Sequence, residues 1–387
     1  MSMIRECVER ATAENKKIYI RGMGYYGKML GSYFECAKIK FDGYIDAVIT
    51  RKIKIDGYAC YPPSVSDKNS FIFIAISSNA AVESISEELS SDDIDFMSVS
   101  LEDITLFSKE IDDKTFLLSF FEKNLGYPLA LENPQTFCEK LNWLKLNDQN
   151  PFYHKLADKY EVKSIVSEAI GSEYVVENYG IWDSFDDINF DNLPDSFILK
   201  CTHNSGSFYI VKDKNNFDRD AARKILEDGM KCSYFYSCRE WVYKDIKPRI
   251  IADKLLDDKT LDGRGVSMCD YKFWCFNGVP TYMYRTIKDN DIFENYYDMD
   301  YNIVNIDHGF PRFVPEFKKP SNFDEMKILA EKLAKIATAC FIRVDFFSVA
   351  EKIYFGEFTF YDWAGLRPFA SYEQDLELGK LIILPKK

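Results

Sequence analysis

The chain has 387 residues, 47% of them apolar and 16% aromatic, enough to build cores in two or three domains. Its formal charge of −13 argues against a nucleic-acid partner, so any phosphate must be held by local lysines and arginines. Ten cysteines without a C-x-x-C pair and only three histidines argue against a zinc site or a disulfide framework. No long apolar window and no apolar leader follow Met1, which supports neither a membrane span nor a secretion signal and predicts a cytoplasmic protein.

Residues 1–107 alternate between helical and strand patterns. Lys16 to Arg21 reads as a strand that runs into Gly22-Met-Gly24-Tyr-Tyr-Gly27, a G-x-G-x-x-G followed by a helical stretch to Cys36. Phe41 to Val48 reads as a second strand and carries Asp46, about twenty residues on, where the dinucleotide fingerprint places its ribose acid. Glycines in such a turn let the backbone bend tightly and approach a diphosphate at a helix N-terminus. Phe71–Ile76 and Phe96–Leu101 read as further strands around a helix at Ala80–Leu89. The segment resembles the Rossmann-like unit at the front of several bacterial sugar-modifying proteins. That resemblance implies either a bound NAD(P) or nucleotide sugar, or a ligand-free scaffold.

Residues 108–150 turn helical and aromatic and read as a linker. Two helices then flank Pro151, with Lys159 and Lys163 spaced to share a face that by itself reads as solvated. Phe197–Cys201 and Phe208–Val211 read as strands around the polar loop Thr202-His203-Asn204-Ser205-Gly206-Ser207. Backbone N–H groups of such a loop can hold a phosphate, with Lys200 as a point charge, although an ordinary hairpin turn has the same pattern. His203 reads as a phosphate or substrate contact, or as a structural loop histidine.

A strand over Arg249–Leu256 ends in Asp257 and Asp258 and leads into a glycine-bearing loop. Next, Asp270–Phe276 and Val279–Arg285 form a hairpin about the strong turn signal Asn277-Gly278. Alternation puts Asp270, Lys272, Trp274 and Phe276 on one face, where an acid and a lysine could meet a nucleotide. Arg285, on the returning strand, is the candidate contact for an acceptor anion, with a surface salt bridge as the alternative. An amphipathic helix from Asp324 delivers the chain into a last hairpin, Phe341–Phe347 and Lys352–Phe360. If its loop centres near Glu351, Asp345 lies opposite Glu357 and Arg343 opposite Thr359, all on one face. Two opposed carboxylates repel unless a positive charge lies between them, and such hard oxygens suit Mg²⁺. The alternative is a strand face on which Arg343 pairs with both acids.

The order of these pieces resembles the ATP-grasp superfamily, and Arg343-Val-Asp345-Phe-Phe with Glu357-Phe-Thr359 is similar to the magnesium hairpin of D-alanine:D-alanine ligases. A closer likeness is the TupA-like ATP-grasp family, associated with teichuronopeptide and other surface-polysaccharide synthesis. It covers roughly Asn133 to Leu384 through Asn-Pro-Gln-Thr-Phe-Cys-Glu-Lys, Asp-Lys-Tyr, Ile-Leu-Lys-Cys-Thr-His-Asn-Ser-Gly-Ser, Asp-Tyr-Lys-Phe-Trp-Cys-Phe-Asn-Gly and Phe-Gly-Glu-Phe-Thr-Phe. The resemblance implies an α/β chain: a Rossmann-like parallel-sheet domain (1–107), a helical linker (108–150) and an α+β ATP-grasp domain (151–387) whose two subdomains clasp ATP.

In that arrangement Lys200 and Lys272 contact phosphates, the Asn204–Ser207 loop closes over them, Lys254 and Leu255 line the adenine, and Asp270 reaches the ribose. Asp345 and Glu357 hold Mg²⁺, with Thr359 at the last metal position where many ligases have Asn. Asp253 stands where a glutamate is common, and Tyr361-Asp-Trp-Ala-Gly365-Leu-Arg367 lacks the Pro-Gly of peptide-forming ligases. The resemblance implies a reaction that joins a uronic acid of a capsular or other surface polysaccharide, or its precursor, to the primary amine of an amino acid or amino alcohol through an acyl phosphate. Arg343 steadies the oxyanion. A sugar kinase on the same ATP site, a nicotinamide-dependent oxidoreductase of the first domain and a nucleotide-sugar-binding scaffold are the competing readings.

Overall fold

A computed structural model of the chain describes residues 1–55, 57–256, 270–288, 292–314 and 318–385. Asp257, Asp258 and the glycine-bearing loop after them lie outside the described residues. The chain divides into two compact units, Met1–Lys123 and Asn124–Lys387, so that residues 108–150, expected as a linker, are shared between them.

The first unit runs α1 (Met3–Ala13), β1 (Lys17–Arg21), α2 (Tyr25–Cys36), β2 (Gly43–Ile45), β3 (Ile53–Ile55), β4 (Tyr58–Tyr61), β5 (Ser70–Ile74), α3 (Asn79–Ser91), β6 (Asp95–Ser98), α4 (Leu101–Ser108) and α5 (Asp113–Leu125). Its sheet has the order β3-β4-β2-β1-β5-β6 and is parallel except for the β3–β4 pair. Central β1 and β5 are covered on both faces, which is why Ile18-Tyr-Ile and Phe71-Ile-Phe-Ile read as unbroken apolar runs. The strand expected over 41–48 is confined to Gly43–Ile45. Beyond it Asp46 turns the chain, accepting from Val48 N–H with its carboxylate and from Ile49 N–H with its carbonyl. The β3–β4 hairpin was not expected, since strands of three and four residues carry almost no periodicity.

The second unit runs α6 (Phe137–Asn147), α7 (Phe152–Ala157), α8 (Glu161–Ile170), β7 (Asn178–Trp182), β8 (Phe197–Cys201), β9 (Phe208–Val211), α9 (Arg219–Lys231), α10 (Phe235–Cys238), β10 (Ile250–Lys254), β11 (Asp270–Phe276), β12 (Val279–Lys288), β13 (Ile292–Asp298), α11 (Phe323–Ala337), β14 (Phe341–Val349), β15 (Lys352–Thr359) and α12 (Tyr372–Gly379). Two antiparallel sheets result, β7-β10-β8-β9 and β13-β12-β11-β14-β15. In the first, Leu199, Cys201 and Val211 pack with Ala222 and Leu226 of α9. The second is covered on both faces. Phe273 stacks on Phe323 of α11, with ring centroids 5.8 Å apart, and Trp274 stacks on Phe137 of α6 at 5.3 Å.

Two bulges set what the five-stranded sheet presents. Between Trp274 and Cys275 the β11–β12 register shifts by one residue, so that Tyr271 rather than Asp270 pairs with Arg285. In the β14–β15 hairpin the turn is the two residues Ala350 and Glu351, with φ of 48° and 63°. A second shift between Val344 and Phe346 then brings Arg343 opposite Thr359. Gly356 sits in this bulge, where a Cβ would meet the Asp345 carbonyl oxygen at 3.1 Å.

Candidate active site

The two sheets of the second unit face each other across a cavity of about 340 Å³. Its lining includes five lysines, Lys159, Lys163, Lys200, Lys254 and Lys272, against four carboxylates, Asp253, Asp270, Asp345 and Glu357. In a chain of net charge −13 this is a local basic island suited to polyphosphate.

On the β8–β10 wall, buried Asp253 accepts from Asn178 Nδ2 at 3.0 Å and pairs with Lys163 at 3.1 Å and Lys200 at 3.4 Å. Lys163 also donates to the Val176 carbonyl, and Lys159 to that of Asn204. The pair expected on a solvated face is therefore turned inward: Lys159 lies ahead of α8, and burial pushes both ammonium pKa values down. Asn204 anchors the glycine loop through Nδ2 bonds to Ser207 Oγ at 3.0 Å and the Gly229 carbonyl at 3.1 Å. Asn204, Ser205, Gly206 and Ser207 all line the cavity, and Gly206 has a φ of 90°. Lys254 and Leu255 line it too, and the Lys254 N–H is taken by the Glu177 carbonyl.

On the opposite wall Arg343 is the hub. Its Nε and Nη2 grip Asp345 at 2.7 and 2.8 Å, Nη2 also reaches Glu357 at 3.3 Å, and Nη1 donates to Tyr284 Oη at 3.0 Å and to Asp362. All five guanidinium N–H groups are thus engaged, and although burial opposes it, the facing Asp345 and Asp362 carboxylates hold this cation firmly charged. Arg343 therefore positions the carboxylates and has no free donor for an oxyanion, a correction to the expected role. Lys272 pairs with Asp270 at 2.6 Å and Asp345 at 3.4 Å; these two acids outweigh its burial and raise its pKa.

Asp345 and Glu357 line the cavity with Thr359 Oγ1 3.5 Å from Glu357 Oε1, a set of hard oxygen donors. Such a set fits Mg²⁺, which takes one or two protein carboxylates and completes its shell with water and phosphate oxygens. Among the described residues no group of three or more His, Cys, Asp or Glu gathers as an all-protein metal site.

Two expected contacts lie elsewhere. Arg285 is buried on the other face of the sheet, its guanidinium 4.7 Å from the Tyr271 ring and hydrogen-bonded to Tyr301. The bulge at Trp274/Cys275 puts it there, because a one-residue shift exchanges the faces of a strand. His203 is buried outside the cavity lining, with Nε2 3.1 Å from the Gly229 and Cys232 carbonyls, and burial lowers its pKa; it is a structural loop histidine.

In the first unit, chain packing accounts for two of the glycines. A Cβ on Gly27 would lie 1.9 Å from the Gly22 carbonyl oxygen and one on Gly22 2.7 Å from that of Ala75, whereas Gly24 meets nothing within 4 Å. Asp46 accepts from Met23 N–H at 3.3 Å and Val48 N–H at 3.2 Å, which ties the glycine turn to β2.

Sequence reasoning missed Asp362 and Glu240. Asp362 is fully buried and accepts from Trp274 Nε1 at 3.2 Å and Tyr284 Oη at 2.9 Å as well as from Arg343. Burial raises the Glu240 carboxyl to about 7 despite the nearby cations Lys145 and Arg343. The only signal for Asp362 is an acid three residues beyond Thr359, and Glu240 lies in a segment without periodicity.

The family model described as TupA-like ATPgrasp matches residues 139–383, more than half of the chain. Among solved structures, the chain is similar to the ATP-grasp ligase PsnB complexed with its minimal precursor (12% identity, TM-score 0.33, covering 95% of this chain and 96% of that one). It is also similar to D-alanine–D-alanine ligase from Bacillus anthracis complexed with ATP (11%, 0.32, 94% and 97%) and to L-amino acid ligase from Bacillus licheniformis (11%, 0.33, 91% and 70%). No curated protein matches the chain in sequence.

Proposed function

The chain belongs to the TupA-like ATP-grasp family, and from that premise we propose that it is an ATP-dependent ligase that joins a uronic acid of a surface glycan or its precursor to a primary amine. The observation that carries this reading is the opposition of a lysine wall, Lys159 and Lys200, to the Asp345–Glu357 carboxylates across one cavity.

In the proposed reaction an oxygen of the substrate carboxylate attacks the γ-phosphorus of ATP and ADP leaves, giving an acyl phosphate. The amine nitrogen then attacks the carbonyl carbon, loses its proton, and expels inorganic phosphate with the C–O electron pair. Positioning and charge neutralisation suffice for both steps, so no side-chain nucleophile is required. Lys200 and Lys159 hold the phosphates, the Asn204–Ser207 loop covers them, Lys254 and Leu255 border the base, and the Asp270–Lys272 pair sits at the ribose and phosphate end. Arg343 fixes Asp345 and Glu357 in place through its Nε and Nη2 contacts. Asp345 and Glu357, with Thr359, would hold Mg²⁺, which supplies neutralisation of phosphate charge when bound.

The test is ADP formation from Mg-ATP with glucuronic or galacturonic acid derivatives, with and without amines, followed by mass spectrometry of the products. ADP release that needs both partners, with a product one water lighter than their sum, is the expected result. A phosphorylated sugar formed without regard to amines would instead make the protein a kinase.

A further inference from the structure

Directly after Asp362, the buried partner of Arg343, the chain passes Trp363, which lines a second cavity of about 540 Å³ together with His308, Gly309, Leu366, Arg367 and Phe369; it shares no lining residue with the nucleotide cleft. We propose that this cavity is a carboxylate-binding subsite in which Arg367 grips a carboxylate of the amine substrate that the reaction leaves unchanged, so that the amine is an amino acid and not an amino alcohol. The inference rests on the ligase reading above.

Arg367 is set in place before any ligand arrives. Its Cζ lies 3.7 Å from the centroid of the Phe310 ring and 4.9 Å from that of Trp363, and its Nε donates to the His308 carbonyl at 2.6 Å. Among the described residues no carboxylate pairs with it and no acceptor takes its two Nη groups. In a chain with 62 acidic side chains, an arginine held on aromatic rings at a cavity wall with its fork unpaired is a poor structural ion and a good receptor. The two parallel Nη–H donors of a fixed guanidinium match a planar carboxylate bidentately.

His308 adds a complementary group. Tyr296 Oη donates to Glu294 Oε2 at 2.7 Å and lies 3.0 Å from His308 Nδ1, so Nδ1–H donates to the tyrosine oxygen and Nε2 keeps its lone pair. Burial holds the imidazole neutral, its pKa pushed down to about 4. His308, a lining residue of the same cavity, is thus a neutral imidazole with an acceptor nitrogen to offer a ligand there.

The turn that carries Trp363 is held in place at some conformational cost. Trp363, Ala364 and Gly365 all have positive φ, of 46°, 56° and 58°, which for two non-glycine residues persists only under strong surrounding constraint. Lys145 donates to the Ala364 carbonyl at 2.7 Å and Asn142 Nδ2 to that of Gly365 at 2.7 Å, while a Cβ on Gly365 would meet Asn142 Nδ2 at 2.9 Å. The same turn that presents Asp362 to Arg343 therefore presents Trp363 to the second cavity. The carboxylate to be activated belongs beside Asp345 and Glu357, in the other cavity, so the one met by Arg367 is not the reacting one.

The test is calorimetric titration of the full chain, loaded with Mg-ADP, with the standard amino acids and with decarboxylated partners such as ethanolamine for serine and ethylamine for alanine. At least one amino acid should bind, its decarboxylated partner about tenfold or more weakly, and Arg367→Gln should lose a similar factor while ADP affinity stays unchanged. Arg367→Lys, which keeps the charge without the fork, should fall between. Equal binding of the decarboxylated partner, an Arg367→Gln chain that binds ADP and the amino acid as before, or no binding of any amino acid at about 10 mM to a chain that binds ADP would each overturn the inference. Failure of the unaltered chain to bind ADP would overturn the ligase reading itself, and the inference with it.

Discussion

The guanidinium of Arg343 lies flat along the carboxylate of Asp345, two residues further on the same strand, with Nε–Oδ1 at 2.7 Å and Nη2–Oδ2 at 2.8 Å. Side chains two apart on a strand share a face, so this fork is built by alternation alone. What makes it consequential is burial, because Arg343, Asp345, Tyr284 and Asp362 are all enclosed. Replacing Arg343 by Met leaves two buried carboxylates without their cation, and we expect a loss of about 3–5 kcal/mol in urea denaturation. A loss below about 1 kcal/mol would mean that the network is far more hydrated than its geometry implies.

Glu357 is exposed, unlike its neighbours, and its removal should cost little stability. Glu357→Gln keeps the shape and removes the charge. Turnover should vanish while the melting temperature stays within a few degrees of the parent. Retained ADP release in that variant would overturn the proposed role of Glu357 in holding Mg²⁺.

Lys200 faces the cavity and pairs with Asp253 at 3.4 Å, a length that leaves its ammonium available to phosphate. A charge-assisted contact of about 1.5–3 kcal/mol corresponds to a roughly 10- to 100-fold weaker ADP affinity in Lys200→Met. Fluorescence titration with a labelled nucleotide measures it, and an unchanged affinity would move the phosphates to another part of the cleft.

The pKa of Glu240 is raised by burial from 4.5 to about 7. An acid whose folded pKa exceeds its unfolded one keeps its proton longer in the native state, so its contribution is fully present below about pH 4.5 and is lost as the pH rises to 7. Between those limits the unfolded state gives up the proton first, and the native state loses about 3 kcal/mol in relative stability. Glu240→Gln should flatten this fall, read as chemical denaturation at pH 5 and pH 8. An unaltered pH dependence would show that Lys145 and Arg343 hold Glu240 ionised in the native protein.

Much of the site was legible because it is local. The order of lysine strand, glycine loop and acid-bearing hairpin stands in the sequence, and Asp270, Lys272 and Trp274 share a face as alternation requires. Lys159 and Lys163 were not legible: helical spacing gives a face but not what covers it, and their inward turn depends on Asp253 and the Asn204 carbonyl, far along the chain.

The sequence by itself determined the longer strands and the two hairpins of β11–β12 and β14–β15, and it put Arg343, Asp345, Glu357 and Thr359 forward as candidates, because period-two alternation and turn chemistry act over a few residues. The tertiary structure decided which charges reach the cavity. A bulge-free hairpin from Asn277-Gly278 would set Arg285 opposite Asp270, and one from Ala350-Glu351 would set Gly356 opposite Asp345 and turn Glu357 away. The shift at Trp274/Cys275 turns Arg285 into the core, and the shift at Gly356 turns Glu357 towards Asp345. A bulge is fixed by how a strand packs against the sheets and helices around it, and one residue of register exchanges the two faces of a strand.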